Sequence, residues 1–288
     1  VKIGVSYPVT EVAGSAASIR KFVSAIDELG FDHMMTPDHV IKCPHDGREP
    51  KLAGPYTEKH PFHDPFVLFA FAAALSDRLE FATGVLILPQ RQTALVAQQA
   101  ADVDLLSNER LRLCVGIGWN HVEFAALGQD FRTRGKRVEE QIGLLRELWT
   151  NPIVTFDGRF DKIDRAGINP RPRRMIPLWV GGHSDAAYER AARIADGFLF
   201  ASTAEGAVEG WCQVRQHLEA NGRADDPFGK DLLAQFARGP EQAADTLKAW
   251  REAGGTHGSF PTTDQGLGAD IDAHIAYAAR VKTLVDAG

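Results

Sequence analysis

The stretch LEFATGVLIL, residues 79–88, is apolar almost without a break, and its reading decides the fold. A strand with one face in water alternates apolar and polar residues, whereas a strand covered on both faces, as in a parallel sheet, runs continuously apolar. RLRLCVGIG (110–118) is a second phrase of this kind, and between the two Val96, Ala100, Val103 and Leu106 recur at helical spacing. Strand, helix, strand in that order is a βαβ unit, which demands a parallel sheet.

The alternation continues in both directions. Upstream, KIGVSY (2–7) reads as a strand, and Ile19, Phe22, Val23, Ile26 and Leu29 mark a helix stopped by Gly30. FDHMMT (31–36) is the next strand and DPFVLFAFAAALSD (64–77) a buried helix. Residues 40–63 between them are polar and rich in Pro and Gly, a connection long enough to mark a functional or mobile loop.

Downstream, Val138, Ile142, Leu145 and Trp149 form a helical stripe, and IVTFDGRF (153–160) reads as a hairpin turning at Asp157-Gly158. IPLWVGG (176–182) and GFLFAS (197–202) are strands five and six, with helices over 185–196 and 205–222. DLLAQFARG (231–239) is the expected strand seven, although its pattern also suits a helix turn. A helix over 240–253, GTHGSF (255–260) and a last helix near 270–286 complete eight units. The expected fold is α/β, a (β/α)8 TIM barrel with a long loop after strand two and a hairpin insertion before strand five. No linker composition divides residues 1–288, so one domain is expected.

Composition narrows the function. The net charge is −6 with both signs interspersed, which lacks the clustered basic face of a nucleic-acid binder and points to a small-molecule substrate. Cys43, Cys114 and Cys212 form no disulfide framework, so a cytoplasmic location is expected. The most apolar run, PFVLFAFAAAL (65–75), is about half the length of a membrane span, and VKIGVSYPVT at the start lacks a signal-peptide pattern.

Barrel active sites gather at the C-terminal ends of the strands. Asp38 and His39 follow strand two, Gly84 lies in strand three, Trp119 and Asn120 follow strand four, and Gly181, Gly182 and His183 follow strand five. An imidazole titrates near neutral pH, so His39 is a general acid/base candidate, the alternative being a loop histidine bonded to main chain. WVGGHSDAA (179–187) offers bare amides before a helix that Ser184 can cap, suited to a phosphate or to a tight turn. VGIGWN (115–120) is followed by His121, not by the third glycine of a dinucleotide fingerprint. Cys43, His45, His60, His63 and Asp64 lack any metal-ligand spacing, so no metal is expected. No GxSxG elbow occurs, no strand end offers a Schiff-base lysine, and RTRGKR (132–137) reads as a solvated helix start.

Several blocks occur together in one order: SYPVTEV, GFDHMMTPDHV, DPFVLFAFAAALSDRLEFATGVLILPQR, VAQQAADVDLLSNERLRLCVGIGWNHVEFAALGQDF and IPLWVGGHSDAAYERAARIADGF. Over about residues 1–200 the chain resembles the luciferase-like monooxygenase superfamily, and within it the F420-dependent oxidoreductases of mycobacteria and other actinobacteria. The resemblance implies a barrel that holds coenzyme F420, or alternatively FMN, at its C-terminal mouth. It sets the cofactor ring against strand three, where the family carries a cis peptide matched by Gly84-Val85. It makes Asp38 and His39 the acid and catalytic histidine beside the ring, Gly181, Gly182 and His183 the phosphate turn, and Trp119 and Asn120 pocket-lining residues. It further implies hydride transfer to or from a small organic substrate in a homodimer. The alternatives are an FMN-dependent monooxygenase and a non-catalytic carrier of F420 or flavin. Two departures stand out. SNER (107–110) replaces the family's Ser-Gly-Gly-Arg, and beyond residue 203 the basic residues of sugar-phosphate-oxidising relatives are not found, which argues against glucose-6-phosphate.

Overall fold

The structure, a computed structural model, describes residues 1–12 and 14–287. It begins with β1 (Lys2–Ser6), α1 (Ala16–Glu28), β2 (His33–Thr36) and α2 (Pro65–Ala73). Next come β3 (Glu80–Thr83), β4 (Leu86–Ile87), α3 (Thr93–Leu106), β5 (Leu111–Gly116), α4 (His121–Ala126) and α5 (Arg134–Thr150). A hairpin, β6 (Val154–Asp157) and β7 (Lys162–Ala166), precedes β8 (Leu178–Gly181) and α6 (Asp185–Ile194). The chain ends with β9 (Gly197–Ala201), α7 (Ala204–Ala220), β10 (Gly229–Leu233), α8 (Gly239–Glu252), β11 (His257–Pro261) and α9 (Ile271–Asp286).

All barrel strands are parallel and run β3-β2-β1-β11-β10-β9-β8-β5-β4. The pairs Phe81↔Leu111 and Ala82↔Arg112 join β3 to β5 and close the cylinder. Because β3 and β4 share one position, the barrel is the eight-stranded (β/α) type that the alternation predicts. Strand three is therefore not one run over 79–88. It is interrupted between β3 and β4, and the Gly84–Val85 peptide there is cis.

Alternate residues of the strands face opposite sides. Met35, Ala82, Cys114, Trp179 and Leu199 cluster inside the barrel, while Met34, Phe81, Leu113, Phe198 and Leu232 pack beneath the helices. The helices start where side chains serve their first amides. Ser15 accepts from Ser18 N, and Asp64 accepts from Phe66 N and Val67 N ahead of Pro65 at the first position of α2. Among the described residues no helix is long and apolar enough to cross a membrane.

Two expected boundaries move. Strand seven begins at Gly229 and ends at Leu233; beyond it the main chain folds back, with Gln235 N donating to Leu233 O at 2.8 Å. Gly229 and Lys230 carry no apolar signal, and AQFA mimics strand continuation. The hairpin is also longer than expected. Its second strand, KIDRA, is mostly exposed and charged, and the turn lies over residues 158–161, with Gly158 N donating to Asp161 O. The Glu140 carboxylate of α5 accepts from the amides of Arg159, Phe160 and Asp161, which fixes the hairpin to the barrel wall.

Candidate active site

The C-terminal ends of β3, β5, β8, β9 and β10 surround a cavity of about 350 Å³. Gly84 and Val85 form one wall, with Trp119 after β5 and Gly181, Gly182 and His183 after β8 forming others. Each of these was expected from the sequence at the barrel mouth. Val85 is wedged between strand ends: a Cβ on Gly116 would stand 2.5 Å from its Cγ2, and one on Gly181 2.7 Å from its Cγ1. Only glycine lets the strands approach this closely around the Val85 side chain.

Asp38, His39 and Asn120 do not line the cavity; they lie behind its wall. The Asp38 carboxylate is fully engaged. It grips Arg91 along one edge, at 3.1 Å from Nε and 2.6 Å from Nη2, and accepts from Ile87 N at 3.0 Å. Arg91 Nη1 reaches Asp64, the cap of α2, at 2.9 Å. Asp38 thus ties the end of β2 to β4 and to the far end of loop 40–63.

His39 is 6% exposed and bonds through Nδ1 to Glu123 Oε2 at 2.7 Å. The Glu123 carboxylate also accepts from Val40 N, Ile41 N and Gln90 Nε2 at 2.6, 3.1 and 3.1 Å. With three other donors on that carboxylate, Nδ1 of His39 is the fourth and carries its hydrogen, which leaves Nε2 as the exchangeable nitrogen. Tyr56, Phe62 and Trp119 stand edge-on around the imidazole, with ring centroids 5.2–5.5 Å away. Tyr56 and Trp119 also line the cavity, so His39 sits one aromatic layer behind its wall. Asn120 caps α4, its side chain accepting from Val122 N and Glu123 N, and so sets the helix that presents Glu123.

One end of the cavity is built on α6. Ser184 occupies the cap position, yet its hydroxyl bonds no amide, so the helix start opens onto the cavity with its donors. Arg190, on the same helix, lines the cavity while donating through Nε to Glu139 at 3.0 Å. Glu139 also takes Arg193 at 2.9 Å, and Arg193 bonds Glu189 at 3.0 Å, so two carboxylates serve the two guanidinium groups. The RTRGKR segment is less solvated than expected: Arg137 is buried, and the Arg134 guanidinium lies 3.7 Å from the Phe131 ring centroid.

Sequence reading missed Tyr56, Glu123, Arg190 and Gln235. Glu123 did leave a trace, since NHVE (120–123) has the spacing of a helix capping box. Its carboxylate turns instead to His39 and the strand-two loop. Arg190 sits in the regular helix DAAYERAARI and carries no signal of its own.

A model of the luciferase-like monooxygenase family matches residues 2–274. An uncharacterised protein of Mycobacterium tuberculosis is 38% identical over 184 residues, 61% of this chain and 62% of that protein. An F420-dependent glucose-6-phosphate dehydrogenase of Nakamurella multipartita is 31% identical over 181 residues, 62% of this chain and 50% of that protein. The chain thus spans between half and just under two thirds of the length of these relatives. Among solved structures, an F420-dependent secondary alcohol dehydrogenase in complex with an F420-acetone adduct superposes with a TM-score of 0.80 at 15% identity, covering 99% of this chain and 98% of that one. The coenzyme F420 dependent tetrahydromethanopterin reductase of Methanopyrus kandleri does so at 0.73 and 14%, covering 97% of each. These two share the fold. With the barrel, its mouth and a family match over nearly the whole chain in agreement, this protein belongs to the luciferase-like monooxygenase family.

Proposed function

We propose that this protein is an F420-dependent oxidoreductase that moves a hydride between the deazaflavin and a small organic substrate, with His39 handling the accompanying proton. The observation that carries the reading is the His39–Glu123 pair, set beside a mouth cavity that ends on an uncapped helix start. The F420 named in relatives such as the Nakamurella enzyme supports the choice of cofactor. The residues present fit such a group. The amides at the start of α6 and the buried Arg190 form a donor set suited to a phosphate, and the apolar wall of Val85, Val115 and Val180 suits a ring.

When bound, F420 supplies a C5 centre that gives or takes a hydride and reacts poorly with oxygen. Gly84 and Val85 would back the ring, Trp119 would enclose it, and Gly181, Gly182, His183 and Arg190 would hold the phosphate. Nε2 of His39 would exchange the substrate proton once the Tyr56–Trp119 layer between it and the cavity gives way, while Glu123 holds Nδ1 and orients the ring. Asp38 acts through Arg91 by fixing the loop that carries His39. Glucose-6-phosphate is a poor candidate substrate, because the cavity-lining residues beyond 203 are Leu233 and Gln235, neither of which is basic.

Titration with F420 and, separately, FMN tests the cofactor, following fluorescence of the five tryptophans, of which Trp119 lines the cavity. Micromolar binding of F420 with weak or absent FMN binding is expected. Preference for FMN transfers the protein to the oxygen-using monooxygenases, and binding of neither removes the reading. His39→Ala separates enzyme from carrier: the enzyme loses roughly 10²–10⁴-fold in rate with F420 affinity retained, whereas a carrier is unaffected.

A further inference from the structure

At the opposite end of the barrel, where the strands begin, lies a second cavity of about 230 Å³. Lys2, Arg110, Arg112 and Arg174 contribute to its wall, faced by the carboxylates of Glu80 and Glu109. Three of these cations have carboxylate partners: Lys2 pairs with Glu80, Arg174 with Asp104 and Arg112 with Asp231. Arg110 instead hydrogen-bonds, among the described residues, only main-chain carbonyls, those of Ser76, Leu79 and Ser107.

Arg112 is the unusual member. It is 5% exposed, its guanidinium lies 4.2 Å from the Trp179 ring centroid, and only Nη1 is used, donating to Asp231 at 2.9 Å. Nε and Nη2 find no acceptor among the described residues. These two nitrogens share one edge of the planar group, the same edge with which Arg91 grips both oxygens of Asp38. A buried donor left without an acceptor is costly, and two on one guanidinium edge match two oxygens of a single anion. Neighbouring His257 is held neutral, since burial, with Arg112 beside it, pushes its imidazole down to about 3, so the anion's charge falls to Arg112.

We propose that this floor cavity binds a small oxyanion, of the phosphate or carboxylate class, across the free edge of Arg112, at a site separate from the cavity at the mouth. Crystals of the full chain soaked in sodium selenate test the placement. Anomalous scattering from selenium within hydrogen-bonding reach of Nε and Nη2 is expected, and a cavity holding only water overturns the proposal. In solution, thermal melting in phosphate and, separately, in acetate, each against chloride at matched ionic strength, is expected to rise saturably with at least one of them. Which anion acts tells a tetrahedral from a planar ligand. Arg112→Lys keeps a charge facing Asp231 but lacks the two-nitrogen edge, and is expected to shift the saturation about tenfold to higher concentration. Saturation unchanged in that variant overturns the proposal, because the binding then belongs elsewhere on the chain. If Arg112→Lys does not fold, the selenate position decides alone.

Discussion

At the scale of single residues, the site turns on a contact between positions 84 apart in sequence, His39 and Glu123. His39 could be picked out from sequence because an imidazole at a strand end has a recognisable use. Its partner could not, because a capping-box glutamate looks the same whether it serves its own helix or a distant ring. Glu123→Gln leaves an oxygen for the amides of Val40 and Ile41 but removes the carboxylate that orients the imidazole. Activity with F420 is expected to fall on the order of 10²-fold, chiefly in kcat, with KM and cofactor affinity little changed. A loss confined to KM or to melting temperature would reduce Glu123 to a loop anchor.

At the scale of elements, regular segments with strong apolar patterning were legible, and those whose shape depends on tertiary cover were not. β10 starts on Gly-Lys and three of the five residues of β7 are charged, so neither announces itself. The turn between α3 and β5 shows the reverse case, a departure in sequence that leaves the shape intact. Asn108 and Glu109, standing where the family has two glycines, hold φ of 55° and 63°, the left-handed region that side chains disfavour. Asparagine tolerates this better than glutamate. Glu109→Gly is therefore expected to stabilise the protein by ~0.5–1 kcal/mol, seen as a higher urea midpoint with an unchanged slope. A midpoint that falls would mean that the Glu109 side chain contributes more at the floor cavity than its backbone costs.

At the scale of the whole molecule, the barrel could be anticipated from the eightfold alternation, but its polar floor could not, because His33, Arg112, Asp231 and Ser259 meet only once the cylinder closes. Burial, with Arg112 reinforcing it, holds His33 well below the ordinary imidazole range and His257 at about 3. The unfolded chain takes up protons at these residues below about pH 6.5 and the folded chain does not, so their contribution is complete above that pH and is lost as pH falls toward 3. Each histidine contributes a slope of up to ~1.4 kcal/mol per pH unit. Asp231 works in the opposite direction, since burial raises its carboxyl and the folded state keeps a proton that the unfolded state releases. It is one group against two and acts only from its ordinary acidic range up to its raised value, so the histidines prevail near neutrality. The urea midpoint is expected to drop between pH 7 and pH 5, and a flat profile there would show that the floor histidines accept protons without unfolding.

Arg91 touches both ends of the long strand-two loop, Asp38 where it leaves the barrel and Asp64 where it returns. A loop clamped at its base can grow at its tip without pulling on the strand ends, and lengthening it costs little, about 0.6 kcal/mol for each doubling. Its exposed tip, residues 46–51, is therefore the part that can be exchanged, since His39, Tyr56 and Phe62 within the same loop are committed to the site. Lineages, or protein engineers, can rewrite that tip while inheriting the barrel, the clamp and the imidazole with its aromatic cover.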